Sequence, residues 1–301
     1  MPMSAAYRAL YQRSVDDPSG FWHEQAQRID WQTPYSAVLD DSRLPFARWF
    51  VGGRTNLCHN AVDRHLATRG EQAALVYVST ETGIETTYTY RQLHREVNRM
   101  AASLQALGVK RGDRVLIYLP MIPEAAFAML ACARIGAIHS VVFGGFASNS
   151  LATRIDDATP RVIVSADAGS RAGKMVEYKP LLDAAIDLAV HKPERVLLVN
   201  RNLAPMRHNA RDVDYAALGS EHGDTMFTAS DVGWVVGHSY IVYAPLLAGL
   251  TTVMYEGTPI RPDGAIWWRI VEQYRVNVMF TAPTAIRVLK KQDPALLHRH
   301  D

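Results

Sequence analysis

The chain alternates short apolar runs with helix-length amphipathic segments between residues 91 and 200, and this alternation limits the folds that it can adopt. Strand-length apolar runs separated by helices are typical of a parallel sheet that is covered by helices on both faces. The crossovers between such strands are expected to be right-handed. The apolar runs with the length of a buried strand are RVLIYLP (114–120), AIHSVVF (137–143), RVIVSAD (161–167) and RVLLVN (195–200).

The loops that follow these strands are the expected functional edge of the sheet. Ligands of open parallel sheets bind beyond the carboxyl ends of the strands. Three loops, which start at Pro120, Phe143 and Ala166, follow strands directly and are therefore predicted to lie at that edge.

The sequence as a whole predicts that the chain is divided into three parts. An irregular, aromatic-rich N-terminal arm with helices is expected over residues 1–70, and a first α/β subdomain over 71–218. A partial second α/β subdomain is expected over 219–301. Inside these parts, ALVYVST and IETTYTY flank Glu81-Thr82-Gly83 as a hairpin, and VNVMFTA (276–282) has the pattern of a strand.

Composition disfavours two classes of partner. The chain has 301 residues with 32 basic and 30 acidic side chains, a net charge of +2, so it has no electrostatic footprint for nucleic acid. No apolar stretch approaches the roughly 20 residues that span a bilayer, and the N-terminus lacks a signal-peptide core. Cys58 and Cys132 have no neighbouring Cys or His at metal-ligand spacing. We expect a cytoplasmic protein without a metal site.

Five long stretches of the chain are distinctive: FARWFVGGRTNLCHNAVDRH (46–65), SVVFGGFAS (140–148), SADAGSRAGK (165–174), GDTMFTASDVGWVVGHSYIVYAPLLAGLTTVMYEGTP (223–259) and VNVMFTAPTAIRVLKK (276–291). Together they resemble the AMP-forming short-chain acyl-CoA synthetases, the acetyl-CoA and propionyl-CoA synthetase family, and most closely its propionyl-CoA branch. The resemblance implies an acyl-adenylate-forming large-domain fragment, with mostly parallel, flavodoxin-like sheets flanked by helices.

The resemblance also implies a two-step reaction that uses ATP, CoA and Mg. A carboxylate such as propionate or acetate would form an acyl-adenylate with release of diphosphate, and the CoA thiol would then displace AMP. In such a reaction the protein mainly positions substrates and neutralises phosphate charge.

The resemblance places the CoA site on two loops. Phe143, Gly144 and Gly145 would lie against the nucleotide end of CoA, because glycines allow a ligand to approach the backbone. The alternative for these glycines is a tight turn that needs positive φ. Arg171 and Lys174 would bind the CoA phosphates, whereas the same pair without the resemblance would indicate a solvated surface.

The resemblance places the acyl pocket at Trp234, Val235 and Val236. Related acetate enzymes commonly carry Thr at the position of Val236, so the more apolar slot here favours propionate slightly. His238 and Asp231 are interpreted as structural residues, and no catalytic residue is assigned.

One family feature is absent from the sequence. The family's Ser/Thr/Gly-rich phosphate loop should precede the DVGW segment, but VDYAAL (213–218) meets GDTMF (223–227) through only Gly219-Ser220-Glu221-His222. The family's later adenine-binding motifs and its small C-terminal domain have no counterpart in residues 1–301. Engineered shortening, natural truncation and omitted segments would each explain these gaps. We therefore expect doubtful ATP binding and no adenylation by this chain alone.

The missing loop leaves a second hypothesis open, a non-catalytic module that binds CoA or a nucleotide. A core that is only partly complete would also favour self-association, which covers exposed apolar surface.

Overall fold

A computed structural model describes residues 4–171, 173–218, 237–293 and 295–296. The chain divides into two compact units, Met1–Asn60 and Ala61–Asp301. The three-part division expected from the sequence stays a prediction.

The first unit combines two helices, α1 (Ala5–Asp16) and α2 (Pro18–Ala26), with an antiparallel pair of strands, β1 (Ala37–Asp40) and β2 (Arg48–Val51). Asp17 separates the helices and caps α2, because its carboxylate accepts a hydrogen bond from the Gly20 amide at 2.9 Å.

An aromatic cluster packs inside this first unit. The ring centroids of Trp31, Tyr35 and Phe50 lie 5.1–5.4 Å apart. Phe46 is 79% exposed and takes no part in the cluster. The aromatic-rich arm therefore has a packed centre, but not every ring in it is a core anchor.

A five-stranded parallel sheet forms the centre of the second unit. Its strands are β5 (Arg114–Tyr118), β6 (Ile138–Val141), β7 (Val162–Ala166), β10 (Arg195–Val199) and β11 (Asp212–Asp214). Their order is β11-β10-β7-β5-β6, and every adjacent pair is parallel. The three central strands, β10, β7 and β5, are mostly apolar and buried, as both faces of such a sheet require, whereas the edge strands β6 and β11 are partly exposed.

Helices precede these strands or connect them, and the helix ends follow local signals. Thr89 and Gln92 form a reciprocal capping box at the start of α5. Gly136 ends α6 with φ +74°, where other residues are strained. The helices of this region are α3 (Leu57–Ala61), α4 (Leu66–Arg69), α5 (Tyr90–Ala106), α6 (Pro123–Ile135), α7 (Ser148–Ala158) and α8 (Tyr178–Leu188), with 3₁₀ turns at Asp63–His65 and Ala216–Leu218.

A second sheet contains three strands in the order β12-β3-β4. The predicted hairpin around Glu81-Thr82-Gly83 is present as antiparallel β3 (Ala73–Ser79) and β4 (Glu85–Thr89). Strand β12 (Thr252–Glu256) pairs parallel with β3 although about 175 residues separate them, as Thr252↔Leu75 and Glu256↔Ser79 show.

The remaining elements are short. A π-helix, His238–Tyr243, leads into α9 (Ala244–Leu247), and α10 (Ile266–Gln273) and α11 (Pro283–Leu289) follow β12. The strand expected at 276–282 is not formed in the described structure, where these residues make no ladder with another strand. The predicted class, a mostly parallel α/β fold, is nevertheless confirmed.

Candidate active-site edge

Three loops meet at the carboxyl edge of the five-stranded sheet. Because β6, β5 and β7 are parallel neighbours, the segments that follow them leave the sheet on the same side. The loops after β5 and β7 are in direct contact: a methyl group placed on Gly169 would come within 2.8 Å of Pro120 Cβ. The structure therefore brings together the loops that the sequence assigned to the functional edge.

Tyr118, at the end of β5, contacts the Phe143–Phe146 turn. The Tyr118 hydroxyl donates a hydrogen bond to the Phe146 carbonyl at 3.3 Å. The rings of Phe143 and Phe146 meet edge-to-face with centroids 5.6 Å apart, and the Arg154 guanidinium lies over the Phe146 ring at 4.1 Å. The turn that carries the predicted CoA residues is thus held by side-chain packing.

Tyr178 connects this turn to the next one. A methyl group on Gly144 would lie 2.0 Å from the Tyr178 hydroxyl, and one on Gly169 would lie 3.0 Å from the Tyr178 ring. Tyr178 is buried and packs against Tyr118, with the ring planes tilted by 46° and the centroids 4.8 Å apart. Both glycines therefore make room for one ring, which sequence reasoning missed because no local pattern signals so distant a contact.

The SADAGSRAGK stretch forms a hairpin rather than a loop. Strands β8 (Ala168–Arg171) and β9 (Lys174–Glu177) pair antiparallel, and Arg171 and Lys174 are register partners on either side of the turn. Gly173 in that turn has φ +75°, a conformation that favours glycine. The Lys174 side chain is exposed, while the Arg171 side chain lies outside the described part of the structure.

A pocket of about 530 Å³ lies beside this hairpin. The Ser170 hydroxyl, on β8, donates a hydrogen bond to Glu81 in its wall. Burial opposes the ionised form of Glu85, but hydrogen bonds from Tyr274, Arg269 and Gln273 outweigh it and lower the Glu85 pKa. The pocket is lined by Ser79, Thr80, Glu81, Gly83, Glu85, Arg261, Pro262 and Arg269.

The predicted acyl pocket, Trp234, Val235 and Val236, lies outside the described residues, as does Asp231. The described structure continues at Gly237, and the neighbouring His238 ring packs edge-to-face on His139 with centroids 5.6 Å apart. His139 Nε2 in turn lies 2.7 Å from the Tyr243 hydroxyl. These contacts agree with a structural role for His238, which stays a prediction.

Within the described residues, no group of three or more His, Cys, Asp or Glu side chains is arranged to hold a metal ion. Among the same residues, no helix combines the length and the apolarity that a membrane span requires.

Two protein-family models match this chain, and together they include residues of both units. The model described as "AMP-binding enzyme" matches residues 62–199 and 192–301, and the model described as "Acetyl-coenzyme A synthetase N-terminus" matches residues 7–61. The first model matches in two ranges that overlap at residues 192–199.

Similar proteins cover nearly the whole chain. It is 53% identical to the propionate–CoA ligase of Escherichia coli K12, over 98% of this chain and 56% of that protein. It is 40% identical to the human mitochondrial acyl-CoA synthetase short-chain family member 3, over 96% and 50%. The solved structure of acetoacetyl-CoA synthetase from Streptomyces lividans superposes with a TM-score of 0.83 at 25% identity, covering 96% of this chain and 52% of that one.

The chain therefore spans about half the length of the curated relatives that it matches. The E. coli alignment has 351 positions whereas this chain has 301 residues, so at least 50 positions have no residue here. This difference agrees with the internal gap inferred near Gly219. By its family matches, its sequence identity and its fold, the chain belongs to the AMP-binding enzymes, in the acetyl-CoA and propionyl-CoA synthetase family.

Proposed function

We propose that this chain is part of an AMP-forming acid–thiol ligase that joins propionate, or acetate, to CoA at the expense of ATP. The observation that carries this proposal is the 53% identity to a propionate–CoA ligase over 98% of the chain. In the first step a carboxylate oxygen bonds to the α-phosphorus of ATP, and diphosphate leaves. In the second the CoA sulfur bonds to the acyl carbon, and the bond to AMP breaks.

The CoA-facing part of this reaction is assigned to the carboxyl edge of the five-stranded sheet. The Phe143–Gly145 backbone would receive the nucleotide end of CoA, and Arg171 and Lys174 would neutralise its phosphates. Lys174 supports this assignment because it is exposed and makes no ion pair within the described residues. Trp234, Val235 and Val236 would form the acyl slot.

Propionate is the preferred acyl substrate under this proposal, because Val236 removes a polar group from the slot. A single methylene contributes only about 1–3 kcal/mol to discrimination, so acetate is expected to react as a weaker substrate of the complete enzyme.

ATP and its metal are not assigned a site on this chain. The residues present do not fit ATP phosphates, since only Gly219-Ser220-Glu221-His222 stands where the family's phosphate loop is expected. Mg would neutralise phosphate charge during adenylation, and the described residues offer no cluster of ligands for it.

The missing phosphate loop also supports a second candidate, a non-catalytic module that binds CoA or a nucleotide. Both candidates predict CoA binding by this chain. Under the first, the chain is part of an enzyme that adenylates a carboxylate with the help of residues that this chain lacks. Under the second, the protein binds its ligand and catalyses no adenylation. A cytoplasmic location and the absence of nucleic-acid or membrane partners belong to either proposal, because ATP and CoA are substrates of the cell interior and the net charge is only +2.

Calorimetric titration of the 301-residue chain with CoA and, separately, with ATP tests the assignment. We expect CoA binding that Arg171→Ala or Lys174→Gln weakens about tenfold, the loss of one charge-assisted contact. We expect neither ATP binding nor release of diphosphate from ATP and propionate. Tight ATP binding would show that a phosphate site exists in spite of the missing loop, and absence of CoA binding would remove the CoA assignment.

A further inference from the structure

Arg261 reaches the turn of the β8–β9 hairpin from a distant part of the chain. A methyl group placed on Gly173 would lie only 1.7 Å from Arg261 Nη1 and 2.7 Å from its Cζ. The guanidinium therefore occupies the space that a side chain at Gly173 would fill. Gly173 immediately precedes Lys174, so a second cation follows directly in the chain.

The backbone around Arg261 is held in place by Tyr255. The Tyr255 hydroxyl lies 2.8 Å from the Arg261 carbonyl and 2.9 Å from the Thr258 carbonyl, so it can donate to either acceptor. It also lies 3.1 Å from the Thr80 hydroxyl. The loop between β12 and α10 is thus fastened to the β3–β4 turn, and this fixes where the arginine side chain begins.

The carboxylates nearest this pocket are already engaged. Glu85 pairs with Arg269 at 3.1 Å and accepts a hydrogen bond from Tyr274 at 2.6 Å. Glu81 accepts a hydrogen bond from Ser170. Within the described residues, Arg261 forms no ion pair with either of them. An exposed arginine that shares a pocket with two carboxylates and pairs with neither remains available for an anion.

We propose that Arg261 joins Lys174 in binding a phosphate group of CoA against the Gly173 turn. The inference rests on the CoA site proposed above and adds a residue from outside both CoA loops. A guanidinium offers a planar fork of donors and an ammonium a compact charge, and together they match the oxygens of one phosphate. The exposed Gly173 has no side chain to block that approach.

Titration of the full chain with CoA, monitored by calorimetry, tests this role. Arg261→Gln should weaken CoA binding about tenfold, and Arg261→Lys should weaken it less because the charge remains. Arg95→Gln, an exposed arginine on α5, is the control for net charge and should leave the affinity unchanged. Equal affinities for Arg261→Gln and Arg95→Gln would overturn the proposal while leaving the CoA site intact.

Glu81→Gln provides an independent test in the opposite direction. It removes a negative charge from the pocket wall but keeps an oxygen for the Ser170 hydroxyl, so CoA affinity should rise a few-fold. No change or a loss would contradict a phosphate at this position. Comparison with dephospho-CoA identifies the phosphate: the Arg261→Gln effect disappears there if Arg261 binds the 3′-phosphate, and persists if it binds the diphosphate.

Adenosine 3′,5′-bisphosphate separates failure of this inference from failure of the proposed function. If wild-type chain binds this nucleotide but not CoA, and Arg261→Gln abolishes that binding, the anion site stands and the CoA assignment falls. If neither compound binds, both proposals are wrong. Circular dichroism of each variant should match wild type, since Arg261 is exposed and its substitution removes no buried contact.

Discussion

At the residue scale, Gly144 shows that a glycine can be required by a distant side chain, which the neighbouring sequence does not reveal. Two readings were open from the sequence, close approach of a ligand and a turn with positive φ. Gly144 does not adopt a positive φ, and its missing side chain makes room for the Tyr178 hydroxyl. The ligand role stays a prediction. The segment does form a turn, but Gly144 has no positive φ there, and the constraint on its side chain comes from a ring 34 positions away.

His139 is the residue through which we expect acid to destabilise the fold. Burial, reinforced by the charge of the neighbouring His238, lowers the His139 pKa from 6.5 to about 4. The folded state therefore excludes a proton that the unfolded chain binds below pH 6.5, so stability falls as pH decreases from about 6.5 to 4. The full loss from this group is on the order of 3 kcal/mol.

Urea unfolding at pH 5 and pH 7.5 measures this dependence. His139→Gln retains a polar contact for the Tyr243 hydroxyl but cannot titrate, so the difference in unfolding free energy between the two pH values should shrink. It should not vanish, because burial also lowers the pKa of His65 and of His94. An unchanged pH dependence in His139→Gln would mean that this imidazole is not kept neutral by the fold.

At the element scale, residues 276–282 show that a strand pattern needs a partner. Val278 is 84% exposed and Phe280 48%, and the described structure pairs neither with a neighbouring strand. Strand β12 has only β3 beside it in that structure. A strand whose sheet neighbours are absent gains no ladder hydrogen bonds, so its β propensity alone does not order it.

Hydrogen exchange followed by mass spectrometry should separate these two segments. Amides within 277–281 lack ladder bonds and should exchange fast, whereas those of Thr252–Glu256 pair with β3 and should be protected. Protection of 277–281 that grows with protein concentration would instead show that the segment pairs between copies, the self-association expected from an incomplete core.

At the scale of the whole second unit, a buried ion pair connects the two sheets. Arg201, just after β10, donates two hydrogen bonds to Glu256 at the end of β12, at 2.8 and 2.7 Å. Their side chains are 10% and 3% exposed. Tyr77 and Ser79 on β3 donate to the same carboxylate. Three side chains, one that follows β10 and two on β3, thus donate to one buried carboxylate.

Removal of one member of this pair should be costly. Glu256→Gln leaves the Arg201 charge buried without compensation and should reduce the unfolding free energy by about 3–5 kcal/mol. Glu71→Gln breaks the exposed pair with Arg91 and should cost no more than about 1 kcal/mol. Denaturant unfolding measures both changes, and similar small values for the two variants would contradict a structural role for the buried pair.

The sequence by itself determined the class of fold, the family and the loops at the carboxyl edge of the sheet. These follow from local features: hydrophobic periodicity, turn residues at helix ends such as Gly136, and long motifs around Phe143 and Lys174. Only the tertiary structure decided that Tyr178 fills the space at Gly144, that Arg261 lies on the Gly173 turn and that 276–282 pairs with no strand of the described structure. Each of these depends on contacts between residues far apart in the chain, or on their absence, and no local pattern encodes which distant surfaces meet.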